Sequence, residues 1–240
     1  MIKLKKTAWE DQLWQAQRLD KIIASTGRWS RREVKDLVRQ GRVTVDGVPA
    51  RSAEEKADPE QAVIAVNGEK LNWRRYTWVM LNKPAGYLSA TEDGRGATVL
   101  DLLPQDLQRQ GLFPVGRLDK DTEGLLLLTN EGGLAHELLS PKKHVDKEYY
   151  VRVAGRLSAA DSAAFAEGLH LDDGLICQPA ELRILTAGEE SEAYVILREG
   201  NFTKSNGCWR IWESRCCIWS AFAWAICCWI RFWSGVHTVC

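Results

Sequence analysis

The chain has 240 residues, with 32 basic and 32 acidic side chains, and therefore carries no formal net charge. This length allows one large domain or two modest ones. Through Gly200, no apolar run is long enough to span a bilayer, which excludes a membrane-spanning role for that part of the chain.

The charge is unevenly distributed along the chain. Residues 1–75 hold 16 Lys and Arg against 11 Asp and Glu, a net charge of +5 that the remainder balances. A basic region on a neutral chain indicates either a polyanionic partner on that side or a Lys-rich solvated surface.

Several functional classes lack their sequence signals. Met1 to Gln17 has no apolar core of the kind found in signal peptides, and only one cysteine, Cys177, precedes residue 200. Both features are typical of a cytoplasmic protein. The four histidines show no metal-ligand spacing, and neither a GxGxxG nor a P-loop motif is present. We therefore expect no metal and no cofactor.

Residues 18–70 are predicted to form a small α/β domain, which follows an N-terminal extension over residues 1–17. A short helix is expected over residues 18–25. Gly27 stands where a glycine ends a helix.

A second helix and a hairpin follow in the same domain. Ser30 and Glu33 form a capping-box pattern at the start of this helix, and Gly41 is placed to end it. Residues 42–47 then read as a strand that enters an Asp-Gly hairpin.

The second helix is strongly basic on one side. Arg31, Lys35 and Arg39 recur at a spacing of four residues and therefore share one helical face. Their mutual repulsion weakens an isolated helix, and a phosphate backbone would relieve that repulsion. An ordinary solvated basic face remains the alternative interpretation.

Three ordered patterns in residues 18–70 carry a resemblance to a known domain. They are Arg-Leu-Asp-Lys, Ser-Arg-Arg and Gly-Arg-Val-Thr-Val-Asp-Gly, and together they resemble the ribosomal S-four-type RNA-binding domain. The resemblance implies that this domain binds RNA. The RNA-binding residues that it implies are Arg18, Lys21, Ser30, Arg31, Arg32, Lys35 and Arg42.

Residues 76–200 are predicted to form a second domain, after an Arg- and Trp-rich linker over residues 70–78. Its expected elements are strands at 79–81, at 125–129 and within 144–153, a turn at 82–86, a short helix or turn at 98–103, and a helix over 158–168. These elements show no regular βαβ repeat, which favours an α+β fold with a mixed sheet.

The tetrapeptide Gly116-Arg117-Leu118-Asp119 precedes a run of four leucines that is expected to be a strand. Its carboxylate is therefore expected at the edge of a sheet. A lone Arg-Leu-Asp is also typical of a turn or of one half of a structural ion pair. The longer run from Phe113 to Thr129, together with Met-Leu-Asn-Lys-Pro-Ala-Gly-Tyr87 upstream, resembles the bacterial rRNA pseudouridine synthases.

This second resemblance implies a reaction and its residues. Asp119 would be the nucleophile, Arg117 would lie beside a flipped nucleotide, and Tyr149 would stack on the uracil and take part in proton transfer. A core tyrosine on a strand is the alternative for Tyr149. Asn82 and Lys83 are expected to be architectural. Uridine becomes pseudouridine with no atoms gained or lost, so the resemblance implies no cofactor.

The tail over residues 201–240 departs from the family pattern. It holds six of the seven cysteines and six of the eleven tryptophans but one acid, Glu213. Adjacent cysteines have poor ligand spacing for a metal site. The uncharged run from Cys216 to Ile230 is short for a transmembrane helix.

A displaced reading frame explains the tail better. Cysteine is encoded by TGY and tryptophan by TGG, so reading one base earlier turns each such codon into one for Leu, Met or Val. The codons of Phe202 to Trp209 then permit Phe-His-Gln-Val-Lys-Arg-Met-Leu. This is the motif that the family carries after the position of Gly200, and its His-Gln-Val-Lys-Arg form resembles the small-subunit rRNA branch.

The sequence thus predicts an α+β rRNA pseudouridine synthase whose catalytic domain is incomplete over 76–200 and whose tail over 201–240 is aberrant. The strand and helix that follow the missing motif, and its basic partner for the carboxylate, are expected to be absent from the chain as written. We expect a monomer whose partner is ribosomal RNA, with the small-subunit RNA favoured, and little activity. The alternative function is that of a non-catalytic protein that binds RNA through its N-terminal domain.

Overall fold

The computed structural model describes residues 16–140, 145–169 and 177–197, and, as backbone, the strands at 216–222 and 236–239. The predicted extension over residues 1–17 lies almost wholly outside the described residues. In the described part of the chain, the helices are all too short or too polar to cross a membrane.

The chain divides into two compact units. The first contains Met1–Arg75 and Pro104–Gly111, and the second contains Tyr76–Leu103 and Leu112–Cys240. The first boundary falls inside the segment 70–78 that the sequence predicts as a linker. Together the units combine helices with largely antiparallel sheets, so the fold is α+β, as the sequence predicts.

Two helices form one side of the first unit. Helix α1 (Leu19–Ala24) buries Ile22 and Ile23, and helix α2 (Arg31–Arg39) buries Val34 against the same core. The Ser30 hydroxyl accepts a hydrogen bond from the backbone N–H of Glu33, whose carboxylate accepts one from the backbone N–H of Ser30. The predicted capping box is therefore confirmed.

Short strands form the other side of the first unit. They are β1 (Gln17–Arg18), β2 (Val43–Val45), β3 (Val48–Pro49), β4 (Lys56–Ala57), β5 (Ile64–Val66) and β6 (Glu69–Lys70). The four-stranded sheet has the order β3-β2-β5-β6, and β1 pairs separately with β4. Asp46 and Gly47 both have positive φ, at 51° and 81°, which is the geometry of the two-residue hairpin that the sequence predicts between β2 and β3.

The first unit also takes in a segment that the sequence assigns to the second domain. Pro104–Gly111 carries helix α3 (Gln105–Gln108) and buries Leu107. The side-chain amide of Gln110 donates to the carbonyl oxygen of Thr26 at 3.0 Å. The segment has a polar composition, which gave no signal of this packing.

One large sheet organises the second unit. Its strands are β7 (Trp78–Lys83), β8 (Phe113–Pro114), β9 (Glu123–Thr129), β10 (Lys147–Ala154), β11 (Glu181–Thr186), β12 (Glu190–Leu197), β13 (Cys216–Phe222) and β14 (Val236–Val239). The order is β11-β12-β10-β13-β9-β7-β14, with β8 pairing at the side of β9. The pairs β13–β9 and β14–β7 are parallel and the others antiparallel, which makes the sheet mixed.

The described part of the second unit also contains two helices and a turn of 3-10 helix (Val99–Leu102). Helix α5 (Ala159–Glu167) begins after the cap Ser158 and ends at Gly168, as the sequence predicts, and buries Phe165. Helix α4 (Gly132–Leu139) was not foreseen, because its Gly-Gly start resembles the loop that closes a strand.

The tail contributes backbone to the sheet, which differs from the expectation that its strand would be missing. Strand β13 pairs with β10 on one side and with β9 on the other, and β14 extends the sheet beside β7. These pairings use main-chain groups, which any sequence with β-forming residues can supply. The expected absence of the helix cannot be compared with the structure, because that part of the tail lies outside the described residues.

Candidate active site and RNA-binding surface

The loop that carries Asp119 is tied to the end of β7 by a buried lysine. Lys83 has no exposed surface, and its ammonium group lies 2.7 to 3.1 Å from four carbonyl oxygens. Those oxygens belong to Pro84, Asp119, Lys120 and Thr122. An ammonium group has three N–H donors, so the four acceptors share them. The expected architectural role of Lys83 thus has a concrete geometry.

Two further contacts fix the same loop from the turn that follows β7. The hydroxyl of Ser89 donates to the carbonyl oxygen of Leu118 at 2.7 Å and accepts from its N–H at 3.1 Å. The N–H of Gly86 donates to the carbonyl oxygen of Lys120 at 2.8 Å. The backbone on both sides of Asp119 is therefore held before any substrate arrives.

The side chains of this loop remain open to solvent. The side chains of Arg117 and Asp119 are both exposed, and neither side chain forms a hydrogen bond or an ion pair with any residue that the structure describes. Gly116 has φ of 92°, a conformation that side-chain-bearing residues rarely adopt, and it begins the turn that carries both residues. A rigid backbone with unengaged functional groups is the arrangement that a reacting carboxylate needs.

The register of the sheet brings Tyr149 to the same place. Lys83, Gly124, Ala221 and Tyr149 are direct partners across β7, β9, β13 and β10. Residues paired directly across neighbouring strands project to the same face. Lys83 and Tyr149 therefore project to one face, and the ammonium group of Lys83 contacts the loop of Asp119, so Tyr149 and this loop lie on that face of the sheet.

Electrostatics agree with this placement. Burial and, as a smaller cause, the negative charge of Asp119 together raise the pKa of the Tyr149 hydroxyl to about 12. The phenol is therefore protonated at neutral pH and is close enough to Asp119 to experience its charge.

The charge of Lys83 is balanced by its surroundings. Burial lowers the pKa of its ammonium group, while the carboxylates of Asp121, Asp119 and Glu123 act in the opposite direction. The buried ammonium group of Lys83 therefore offsets part of the negative charge of these three carboxylates. In the described ranges, no three His, Cys, Asp or Glu side chains cluster so as to hold a metal ion.

A basic pocket lies on the first unit. It has a volume of about 370 Å³ and is lined by Arg18, Asp20, Arg31, Arg32 and Lys35. Four of the predicted RNA-binding residues therefore converge on one surface. A concave surface with clustered positive charge is typical of proteins that bind the phosphate backbone of a nucleic acid.

The other predicted RNA-binding residues lie outside that pocket. Lys21 and Arg42 are exposed, and one amino group of Arg42 donates to the side-chain oxygen of Gln40 at 3.2 Å. Ser30 caps α2, so its hydroxyl is engaged with the backbone. Arg39, on the predicted basic face, is paired with Asp36.

Sequence reasoning missed two polar residues that organise these sites. Asp20 is buried in the wall of the basic pocket, and Ser89 holds the loop of Asp119. The sequence Arg18-Leu19-Asp20 does place an acid two residues after an arginine, and this spacing could have predicted the ion pair between them. A single serine in a polar stretch gives no comparable signal for Ser89.

Family models match both units. The model described as RNA pseudouridylate synthase matches residues 77–202, and the model described as S4 domain matches residues 17–63. The first match contains Asp119 and Tyr149. The second contains the basic pocket.

Curated proteins and a solved structure are similar over most of the chain. An uncharacterized RNA pseudouridine synthase of Bacillus subtilis is 46% identical over 186 residues, which cover 77% of this chain and 78% of that protein. The ribosomal large subunit pseudouridine synthase B of Vibrio vulnificus is 36% identical over 209 residues, covering 84% of this chain and 63% of that protein. A crystal structure of a pseudouridylate synthase is 30% identical with a TM-score of 0.54, covering 86% of this chain and 88% of that one.

Proposed function

Because the chain belongs to the RNA pseudouridine synthase family, we propose that it is built to convert a uridine of ribosomal RNA to pseudouridine with Asp119 as its nucleophile. The observation that supports this role most directly is the contrast at Asp119. Its carbonyl oxygen is bound by Lys83, whereas its carboxylate is exposed and unengaged among the described residues. A fixed backbone under a free carboxylate reduces the reorganisation that nucleophilic attack requires.

The proposed chemistry needs no atoms from outside the RNA. The bond between the uracil nitrogen and the ribose breaks, the uracil turns, and a bond forms between the ribose and carbon-5, whose proton leaves while the nitrogen gains one. The carboxylate of Asp119 would act near the ribose during this exchange. The target base must first leave its helix, which costs a few kcal/mol, and an inserted side chain can hold the gap open. Arg117, exposed two residues before Asp119, is the proposed inserted group.

Tyr149 is proposed to contact the flipped uracil. Its pKa of about 12 means that the hydroxyl keeps its proton at neutral pH. A protonated phenol is a poor base, so stacking and hydrogen-bond donation are its proposed contributions, and removal of the carbon-5 proton is assigned to another group. This narrows the proton-transfer role that the sequence suggests.

We propose the small-subunit rRNA as the target. The alternate-frame motif His-Gln-Val-Lys-Arg supports this choice, whereas one similar protein of Vibrio vulnificus is named for the large subunit. Mapping pseudouridine in both rRNAs of cells that lack the gene, with and without the frame-restored gene supplied to them, distinguishes the two. Gain of a single site in the small-subunit RNA is the expected result, and gain confined to the large-subunit RNA would refute the assignment.

The chain as written is proposed to have little catalytic activity. Its match to the family model ends at residue 202, where the alternate-frame motif begins. Without that motif, no described residue forms an ion pair with Asp119, the role that the missing motif's basic residue would have. For this chain, RNA binding by the first unit is therefore the second candidate function, supported by its basic pocket.

One experiment separates these functions. The coding DNA is read one base earlier after codon 200, and the resulting protein and its Asp119→Ala variant are tested for pseudouridine formation and RNA affinity. A synthase loses modification on substitution and keeps its affinity. A protein that only binds RNA forms no pseudouridine in either version.

A further inference from the structure

Arg18 is held by a buried carboxylate beneath the basic pocket. Its Nε donates to Oδ1 of Asp20 at 3.1 Å, and its Nη2 donates to Oδ2 at 2.8 Å. The Asp20 side chain is 1% exposed, whereas that of Arg18 is 43% exposed. This fork-to-fork geometry fixes the plane of the guanidinium group as well as its position.

The remaining donors of Arg18 divide between an exposed partner and the pocket. Nη2 also donates to Oε1 of Glu54 at 3.1 Å, and the Glu54 side chain is itself well exposed. Among the described residues, Nη1 has no hydrogen-bond acceptor. The Nε and Nη2 edge of the guanidinium group is thus occupied by Asp20, Nη2 is shared with Glu54, and Nη1 is available to a ligand.

The neighbouring cations are also available. Arg31, Arg32 and Lys35 line the same pocket and form no ion pair with any described residue. Arg28 and Arg39, elsewhere on the first unit, are instead paired with Glu69 and Asp36. The pocket therefore combines three cations without an ion pair among the described residues, Arg31, Arg32 and Lys35, with one buried acid in its wall.

We propose that Asp20 is a positioning residue for RNA binding: it orients Arg18 so that Nη1 of the guanidinium group, with Arg31 and Lys35, binds one phosphate of the RNA backbone. This inference rests on the proposed RNA-binding function of the first unit. The hydrogen bonds from Arg18 lower the pKa of Asp20, so its carboxylate is ionised at neutral pH.

The proposal predicts that removing a negative charge from the pocket weakens RNA binding, which is the opposite of what charge alone predicts. A carboxylate beside a phosphate is repulsive, so charge alone predicts that Asp20→Asn binds RNA more tightly. Orientation predicts the reverse, because an arginine that is already ordered loses less conformational freedom when it binds. The two effects can therefore be separated by the direction of a single change in affinity.

The test uses the full 240-residue chain and a fluorescein-labelled RNA stem-loop from small-subunit rRNA, with affinity measured by fluorescence anisotropy. We expect Asp20→Asn to weaken binding about five- to tenfold, which corresponds to part of one charge-assisted contact. Glu54→Gln is the matched control, because it removes the same charge from the exposed partner of Arg18. It should leave affinity unchanged or slightly increase it.

A second variant keeps the proposal testable if Asp20→Asn folds poorly. Arg18→Lys retains the charge but cannot form the two-point contact with Asp20, so it should weaken binding to a similar degree. In an Arg18→Met background, Asp20→Asn should have no further effect on affinity. Circular dichroism establishes which variants are folded.

The outcomes are distinct. Equal or tighter binding by Asp20→Asn, or full affinity in Arg18→Lys, overturns the positioning role while leaving RNA binding intact. Unchanged affinity in Arg31→Ala and Lys35→Ala as well would mean that the pocket binds no RNA. That result would overturn both this inference and the proposed function of the first unit.

Discussion

Replacing Lys83 with methionine tests what holds the loop of Asp119. Methionine has a similar length and no N–H donors, so the substitution removes the ammonium group and leaves its four carbonyl acceptors in place. Two of these acceptors keep a backbone donor. The carbonyl of Asp119 still accepts from Thr122 at 3.1 Å, and that of Lys120 still accepts from Gly86 at 2.8 Å.

The expected cost follows from the other two acceptors. The carbonyl oxygens of Pro84 and Thr122 have no other donor in the described part of the chain. Thr122 is buried, so leaving its carbonyl oxygen unsatisfied costs about 1–3 kcal/mol, and the carbonyl oxygen of Pro84, an exposed residue, loses a hydrogen bond from a charged donor, which contributes about 1.5–3 kcal/mol. The variant also escapes the penalty of burying an ammonium group, which lowers the pKa of Lys83. A net local destabilisation of about 3 kcal/mol is therefore expected, equivalent to about a hundredfold change in the opening equilibrium.

Hydrogen exchange monitored by mass spectrometry measures this opening directly. The informative amides are those of Gly86, Leu118 and Thr122, which are bonded within or to the loop. Exchange there should accelerate about a hundredfold in Lys83→Met. Lys120→Met removes the same charge from an exposed position in the loop and should leave exchange nearly unchanged. Equal exchange in Lys83→Met and wild type would refute the anchoring role.

Three further predictions concern Ser89, Tyr149 and the coding DNA of the tail. Ser89→Ala loses both bonds to the Leu118 backbone and should accelerate exchange of that amide about tenfold, with Ser140→Ala as a control outside the loop. Because Tyr149 has a pKa of about 12 in the fold against 10 for an exposed tyrosine, it stabilises the fold fully below pH 10 and loses this contribution as pH rises towards 12. Tyr149→Phe should therefore flatten the alkaline loss of stability by about 2–3 kcal/mol, seen as urea midpoints against pH, and an unchanged slope would contradict the raised pKa. Sequencing the coding DNA across codons 190–240 should reveal one base more than the tail as written implies, and agreement with the tail as written would remove the basis for the frame shift.

Local signals in the sequence were sufficient for helices α1 and α2 and for the hairpin turn of the first unit. The capping pair Ser30 and Glu33 and the Asp46-Gly47 hairpin each depend on a few adjacent residues, whose preferences are largely intrinsic. Helix α4 was missed because it begins with two glycines, which are poor helix formers, and packing of its apolar side chains outweighs that preference.

The candidate active site was predictable only through resemblance. A motif indicated Asp119 and Tyr149, but no local pattern shows that β13 separates β9 from β10 and so sets the distance between them. Non-local pairing of this kind depends on the whole sheet. The same holds for Ser89, whose partner Leu118 lies 29 residues away.

The tail illustrates how far main-chain pairing can compensate for side-chain identity. Strands β13 and β14 take their places in the sheet through backbone hydrogen bonds, although six cysteines and six tryptophans crowd residues 201–240. Among the residues that the structure describes, the Asp119 carboxylate still has no basic partner. A completed sheet and a completed active site are therefore separate requirements in this chain.

The central claim is that Asp119 is the nucleophile of an RNA pseudouridine synthase. The most direct test is pseudouridine formation in a small-subunit rRNA transcript by the protein with its reading frame restored, by its Asp119→Ala variant and by the 240-residue chain. We predict modification by the restored protein alone, with equal RNA affinity in its Asp119→Ala variant. Pseudouridine formed by the Asp119→Ala variant at the rate of its parent would contradict the claim.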